Sequence, residues 1–219
     1  EDNAQAIGSI YTFSNGEKKY TGTMGDIGTT SFYPAKNLGA YGDGGAIFTN
    51  NDKLAEKIRM IVNHGENKRY HHKIIGCNSR LDSLQAVILN IKLKYLDNYN
   101  STRIIMADNY NKAFQNINNL QTPIEIDNST HVYHQYTLKI FDGRRNELKD
   151  YLQKNGIPTM IYYPIPLYKQ EAFSNYVDDG YYLKNTEELS ENVLSLPIHT
   201  EIENSYQDFI IEKVLNFFK

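Results

Sequence analysis

A chain of 219 residues is long enough for one large domain or two modest ones. With 40% hydrophobic and 22% charged residues it has the composition of an ordinary globular protein, and a net charge of −3 with no Lys/Arg run argues against nucleic acid or anionic membrane as a partner. No apolar run approaches the ~20 residues of a membrane span, and Cys77 stands alone, which excludes an intrachain disulfide or a zinc site of several thiolates. The expectation is a cytoplasmic protein in a reducing setting. The opening EDNAQAIGSI has neither a basic leader nor a long apolar stretch, so no signal peptide is expected.

In chain order, DIGTTSF (26–32) and GGAIFTN (44–50) are short, β-rich and bounded by glycine or turn residues, so both read as strands. Residues 51–65 read as a helix. Asn51 or Asp52 can cap it, Leu54, Ile58, Ile61 and Val62 share a face, and Gly65 can end it. Residues 66–78 are polar and read as an irregular loop. Its adjacent His71 and His72 point different ways, with no carboxylate or thiol at ligand spacing, so no metal site is expected.

From Ser79 the helical signal is strong. Ser79 with Asp82 has the form of a capping box, and Leu81, Leu84, Ile88, Ile91 and Tyr95 recur at helical spacing. The pattern resumes over 103–114, so two helices or one bent helix should reach Gln115. The remainder alternates: strand 131–141, helix 144–156, strand 157–164, helix 186–196 and a closing helix 206–218. That order predicts a small α/β or α+β domain after the first part.

Chemistry concentrates at Lys36, one lysine between a strand-like run and a glycine-rich turn. An exposed loop lysine is unremarkable in itself, but a lysine amine becomes a nucleophile when burial or nearby positive charge lowers its pKa. Its commonest use is then a Schiff base with a carbonyl, including that of pyridoxal phosphate. Such a cofactor also needs a carboxylate at its pyridinium nitrogen, donors for its phosphate, and close backbone approach. Asp2, Ser31 and the glycines 42, 44 and 45 supply these types. Each also has a plain structural explanation: a helix cap, a polar strand residue and a hairpin turn.

The runs EDNAQA, GDIGTTSFYPAKNLGAYGDGGAIFTN, NHG and IGCNSRLDSLQAVIL, followed by GIPTMIYYPIPLYKQEAF and LSENVLSLPIHTEI, occur in family order. Over essentially its whole length the chain resembles the sugar aminotransferases of the DegT/DnrJ/EryC1/StrS family. The resemblance implies an α/β, PLP-dependent transferase of fold type I, aspartate-aminotransferase-like. Residues 1–90 would be the C-terminal portion of the large cofactor-binding domain, and 91–219 a linking helix and small C-terminal α/β domain.

It further implies roles residue by residue. Lys36 would hold pyridoxal 5'-phosphate (PLP) and shuttle protons, and Asp2 would pair with the pyridine nitrogen. Gln5 would lie by the ring, Ser31 on the phosphate, and Arg80 at phosphate or substrate. Asn78 would reach the phosphate of the neighbouring subunit's cofactor, giving a homodimer with a shared active site. L-glutamate would be the donor and a nucleotide-linked keto sugar the acceptor. The versions SFYPAKNLGA and YYPIPLYKQ look closest to enzymes aminating C3 of a dTDP-linked 3-keto-6-deoxyhexose, with C4 enzymes as the alternative.

Several features depart from the family. Ile7, Tyr162 and Tyr168 stand where the family often has histidine, toward the substrate side. Members also carry a long segment before the EDNAQA position, with a phosphate loop and a ring-stacking aromatic. The resemblance therefore implies that this chain is the C-terminal part of the enzyme, inactive alone, or else a non-catalytic remnant kept as a packing partner. Related dehydratases replace the lysine with histidine, which Lys36 argues against.

Overall fold

The computed structural model describes residues 1–178 and 180–219. They divide into two compact units, one of residues 1–101 with 125–134, the other of residues 102–124 with 135–219.

The first unit begins with residues 1–3 extended and leads into an antiparallel hairpin of β1 (Ile10–Thr12) and β2 (Lys18–Tyr20). Then come β3 (Gly28–Ser31) and β4 (Gly45–Phe48), paired antiparallel from Gly28↔Phe48 to Ser31↔Gly45. Both fall inside the predicted strands. Along the other edge of β3, residues 1–3 run parallel, with Asp2 bridging Thr29 and the Asn3 N–H donating to the Thr29 carbonyl at 2.8 Å.

Helix α1 (Asp52–Val62) starts as its sequence dictates, with the Asn51 side chain accepting from the N–H groups of Lys53 and Leu54 at 3.0 and 3.2 Å. Residues 66–78 are less irregular than expected. They form a small hairpin, β5 (Glu66–Lys68) against β6 (His71–His72), whose turn holds Tyr70 at φ 65°.

Helix α2 (Ser83–Lys92) passes through a 3-10 turn at Leu93–Tyr95 into α3 (Leu96–Phe114). It starts at Ser83, four residues after the expected capping-box serine. Residues 77–79 are held instead by the end of α1, where Cys77 N–H donates to Ile61 O at 2.8 Å and Ser79 N–H to Val62 O at 2.9 Å. Leu38, Ala40, Leu89 and Leu96 form a small core, with Ile7 and Phe32 packed on it.

The second unit carries a three-stranded antiparallel sheet in the order β7 (Leu120–Gln121), β8 (Tyr136–Ile140), β9 (Val193–Leu196). On β8 the buried Tyr136, Leu138 and Ile140 alternate with half-buried Thr137 and Lys139, the period-two pattern of a strand with one covered face. Helices α4 (Arg145–Lys154), α5 (Lys184–Asn192) and α6 (Asn204–Phe217) complete it.

Two expectations are corrected here. Residues 157–164 make only an isolated bridge, Met160↔Ser195, because Pro158 and Pro164 lack the N–H a ladder needs. The predicted helix 186–196 ends at Asn192, and its last four residues become β9, buried throughout. Buried Arg145 stabilises that switch, donating from Nη1 to the carbonyls of Ser190 and Val193 at 3.1 and 3.0 Å.

Candidate active site

Lys36 sits on a turn that leaves β3 and is tied back beside it. Phe32 N–H donates to Gly44 O, Ala40 N–H to Phe32 O and Lys36 N–H to Tyr33 O, each at 2.8 Å. The path leaves no room for side chains at two points. A Cβ on Gly39 would lie 2.2 Å from Pro34 O, and one on Gly45 2.7 Å from Thr30 O. The next residue anchors the turn. Buried Asn37 donates from Nδ2 to Asn100 Oδ1 at 2.7 Å and to Val132 O at 2.9 Å. Lys92 adds a third tie, its Nζ donating to Gly39 O.

The Lys36 amine is half-buried, and its ammonium makes no hydrogen bond among the described residues. Burial pulls its pKa below the ordinary lysine value, and the negative charge of nearby Asp2 partly offsets that. Asp2 itself is exposed. One carboxylate oxygen accepts from Ala4 N–H at 2.9 Å, which fixes the side chain relative to its own backbone. Ser31 ends β3, and its hydroxyl accepts from Tyr33 N–H at 3.2 Å. Gln5 lies exposed on the turn after Asp2.

Asn78 and Arg80 form a second group. Arg80 donates from Nε to Asn78 Oδ1 and from Nη1 to Asn63 Oδ1, both at 3.1 Å, while Asn63 and Asn78 form a β-bridge. A cavity of about 590 Å³ is lined by Thr29 and Thr30 of β3, Gly44, Gly45, Ser79 and Arg80 among others, but not by Asp2 or Lys36. Asp2, Ser31 and Lys36 thus gather around β3, with Asn78 and Arg80 paired on another segment.

Sequence reasoning missed Asn37, Asn100 and Lys92. Asn37 follows Lys36 directly, but its partners are 63 and 95 residues away and nothing local announces them.

A lysine with a depressed pKa, a carboxylate whose charge it feels, and tightly packed glycines behind it form the donor set for an aldehyde cofactor with a basic ring nitrogen. The residues present fit PLP. The sequence comparison agrees. The model of the DegT/DnrJ/EryC1/StrS aminotransferase family matches residues 1–215, and the chain belongs to that family. Its fold is that of the type I PLP-dependent transferases.

Among its relatives, a pleiotropic regulatory protein of Geobacillus stearothermophilus is 42% identical over 100% of this chain and 58% of its own length. The dTDP-3-amino-3,4,6-trideoxy-alpha-D-glucose transaminase of Streptomyces venezuelae is 35% identical over 98% of this chain and 55% of its own. The crystal structure of S. venezuelae DesV in complex with a ketimine intermediate superposes with a TM-score of 0.91 at 34% identity, covering 99% of this chain and 57% of that one. The chain therefore spans little more than half the length of these relatives.

Proposed function

We propose that the protein is a PLP-dependent aminotransferase moving an amino group from L-glutamate to a nucleotide-linked keto sugar. The observation that carries this is the half-buried Lys36 amine, its pKa lowered by burial, within the field of Asp2. When bound, PLP supplies an electron sink that lets an amino acid lose its α-proton and give up its nitrogen.

The chain's own groups do the rest. Lys36 would hold the cofactor, and its amine would take and return the proton as general base and then acid. Desolvation favours the neutral amine that this work requires. Asp2 would keep the pyridine nitrogen protonated through an ion pair. Ser31 would donate to the phosphate and Gln5 would lie by the ring. In this reading Asn78 reaches the cofactor phosphate of a second subunit in a homodimer, and Arg80 orients phosphate or substrate. The reaction belongs to the cytoplasm.

For the acceptor we favour a dTDP-linked 3-keto-6-deoxyhexose, supported by the 3-amino product in the name of the S. venezuelae relative. The test is L-glutamate-dependent amination of 3-keto and 4-keto dTDP sugars, with the product amine located by NMR. Amine at C3 is expected. Amine at C4 alone would overturn the choice of acceptor, and no turnover of either sugar by PLP-loaded protein that carries the family segment preceding EDNAQA would overturn the aminotransferase reading.

A further inference from the structure

Residues 1–3 lie extended along β3, so their side chains alternate between faces. Glu1 and Asn3 turn to the loop of residues 21–25, and Asp2 takes the other face. The Glu1 carboxylate accepts from the backbone N–H groups of Gly22, Met24 and Gly25 at 2.7, 2.9 and 3.2 Å. Successive N–H groups converging on one anion form a nest, which favours the ionised carboxylate. The bond from Gly22 holds the Glu1 carboxyl below its ordinary pKa, with those from Met24 and Gly25 adding to it.

Asn3 is buried and secures the other side. Its Oδ1 accepts from the Thr21 hydroxyl at 2.8 Å, and its carbonyl from the Thr30 hydroxyl at 3.1 Å. The loop presses close. Gly22 has φ +86° and a Cβ there would meet Asn3 Nδ2 at 2.9 Å, while one on Gly28 would lie 1.8 Å from Gly22 O. Asp2 is therefore pinned through both neighbours as well as by its bridge to Thr29.

We propose that Glu1 is a positioning residue: its carboxylate, seated in the 22–25 nest, sets the place of Asp2 relative to Lys36. Glu1 touches none of the reacting groups, and its effect passes through Asp2. The consequence for catalysis rests on the aminotransferase reading, whereas the geometry does not.

The test needs no turnover. The pH midpoint of Lys36 reductive methylation, followed by peptide mass mapping without cofactor, is compared for the parent protein, Glu1→Gln, Asp2→Asn and the double variant. Amide exchange at Gly22, Met24 and Gly25 is followed in parallel, with the α2 amides reporting that the first unit is intact. The Asp2 charge raises the Lys36 pKa, so losing or misplacing it lowers the midpoint. Glu1→Gln is expected to lower the midpoint in the direction of Asp2→Asn, with no added shift in the Asp2→Asn background. Exchange in the 22–25 loop should speed up about tenfold.

An unmoved midpoint in Glu1→Gln, or the same shift with Asp2 already replaced, would overturn the proposal. Should Glu1→Gln lose the protected α2 amides, Glu1→Asp serves instead. It keeps the charge but falls short of the nest, and the same midpoint shift is expected. If Asp2→Asn itself leaves the midpoint unchanged, the assignment of Asp2 opposite Lys36 fails, an outcome separate from the role of Glu1.

Discussion

In the second unit Tyr110, Phe114, Tyr136, Leu138, Ile140, Leu148, Leu152, Leu194, Ile210 and Val214 are all fully buried, on helices and sheet alike. In the first unit α1 buries no residue, and Leu84, Val87 and Ile91 stand 69%, 59% and 56% exposed along one side of α2. Side chains that meet long-range polar partners hold the first unit's shape: Glu1, Asn3, Asn37 and Asn100. Apolar burial is strong but non-directional, and it tolerates small shifts. Hydrogen bonds weaken steeply outside a narrow range of distance and angle, so they fix where a group stands. The candidate active site lies in the unit organised by the second kind of force.

The contrast can be broken most forcefully at Lys36. Replacing it with alanine should abolish borohydride-trapped PLP labelling at that position. In the aminotransferase reading it should also cut turnover by at least about 100- to 10,000-fold, the range of a lost general base. In the second unit, Leu138→Ala should cost about 2–5 kcal/mol in denaturant unfolding, the range for a fully buried leucine. Leu84→Ala in the first unit should stay within ~0.5 kcal/mol. Equal costs for the two would erase the distinction between the units.

Smaller changes sharpen it. Asn37→Ala removes two buried hydrogen bonds and should cost about 1–3 kcal/mol, with faster amide exchange across residues 36–40. Asn51→Ala removes only an exposed cap and should cost about 1 kcal/mol. The smallest effect is in pH. Burial depresses both Lys36 and Lys92, so between their folded-state values and the ordinary 10.5 the unfolded chain binds more protons. Unfolding curves should therefore show these lysines adding stability as pH rises through that window, and methionine at both positions should flatten the slope.

Local signals carried much of the fold. The strands at 28–31 and 45–48 and the Asn51 cap are written in neighbouring residues. Where distant partners compete, the sequence misleads. Ser79 looks like a helix cap, but the end of α1 takes its N–H, and α2 starts four residues later. The apolar run Val193–Leu196 suits a helix end or a buried strand equally, and β8 decides for the strand. In the site, residue type offers Lys36, Asp2 and Ser31 as candidates, and the family resemblance implies their roles. Glu1, Asn37 and Lys92 stay hidden because their meaning lies in backbone groups far along the chain.

The most direct test is to incubate the protein, carrying the family segment that precedes EDNAQA, with PLP, reduce with borohydride and map the modified peptide. Lys36 and Lys92 are both half-buried and both depressed in pKa, which makes them natural competitors. Lys92 is committed to Gly39 O, whereas Lys36 lies in the field of Asp2 with its amine uncommitted among the described residues. A visible absorption band that reduction removes is expected, with the label on Lys36. Label on Lys92 or any other lysine, with Lys36 unmodified, would contradict it.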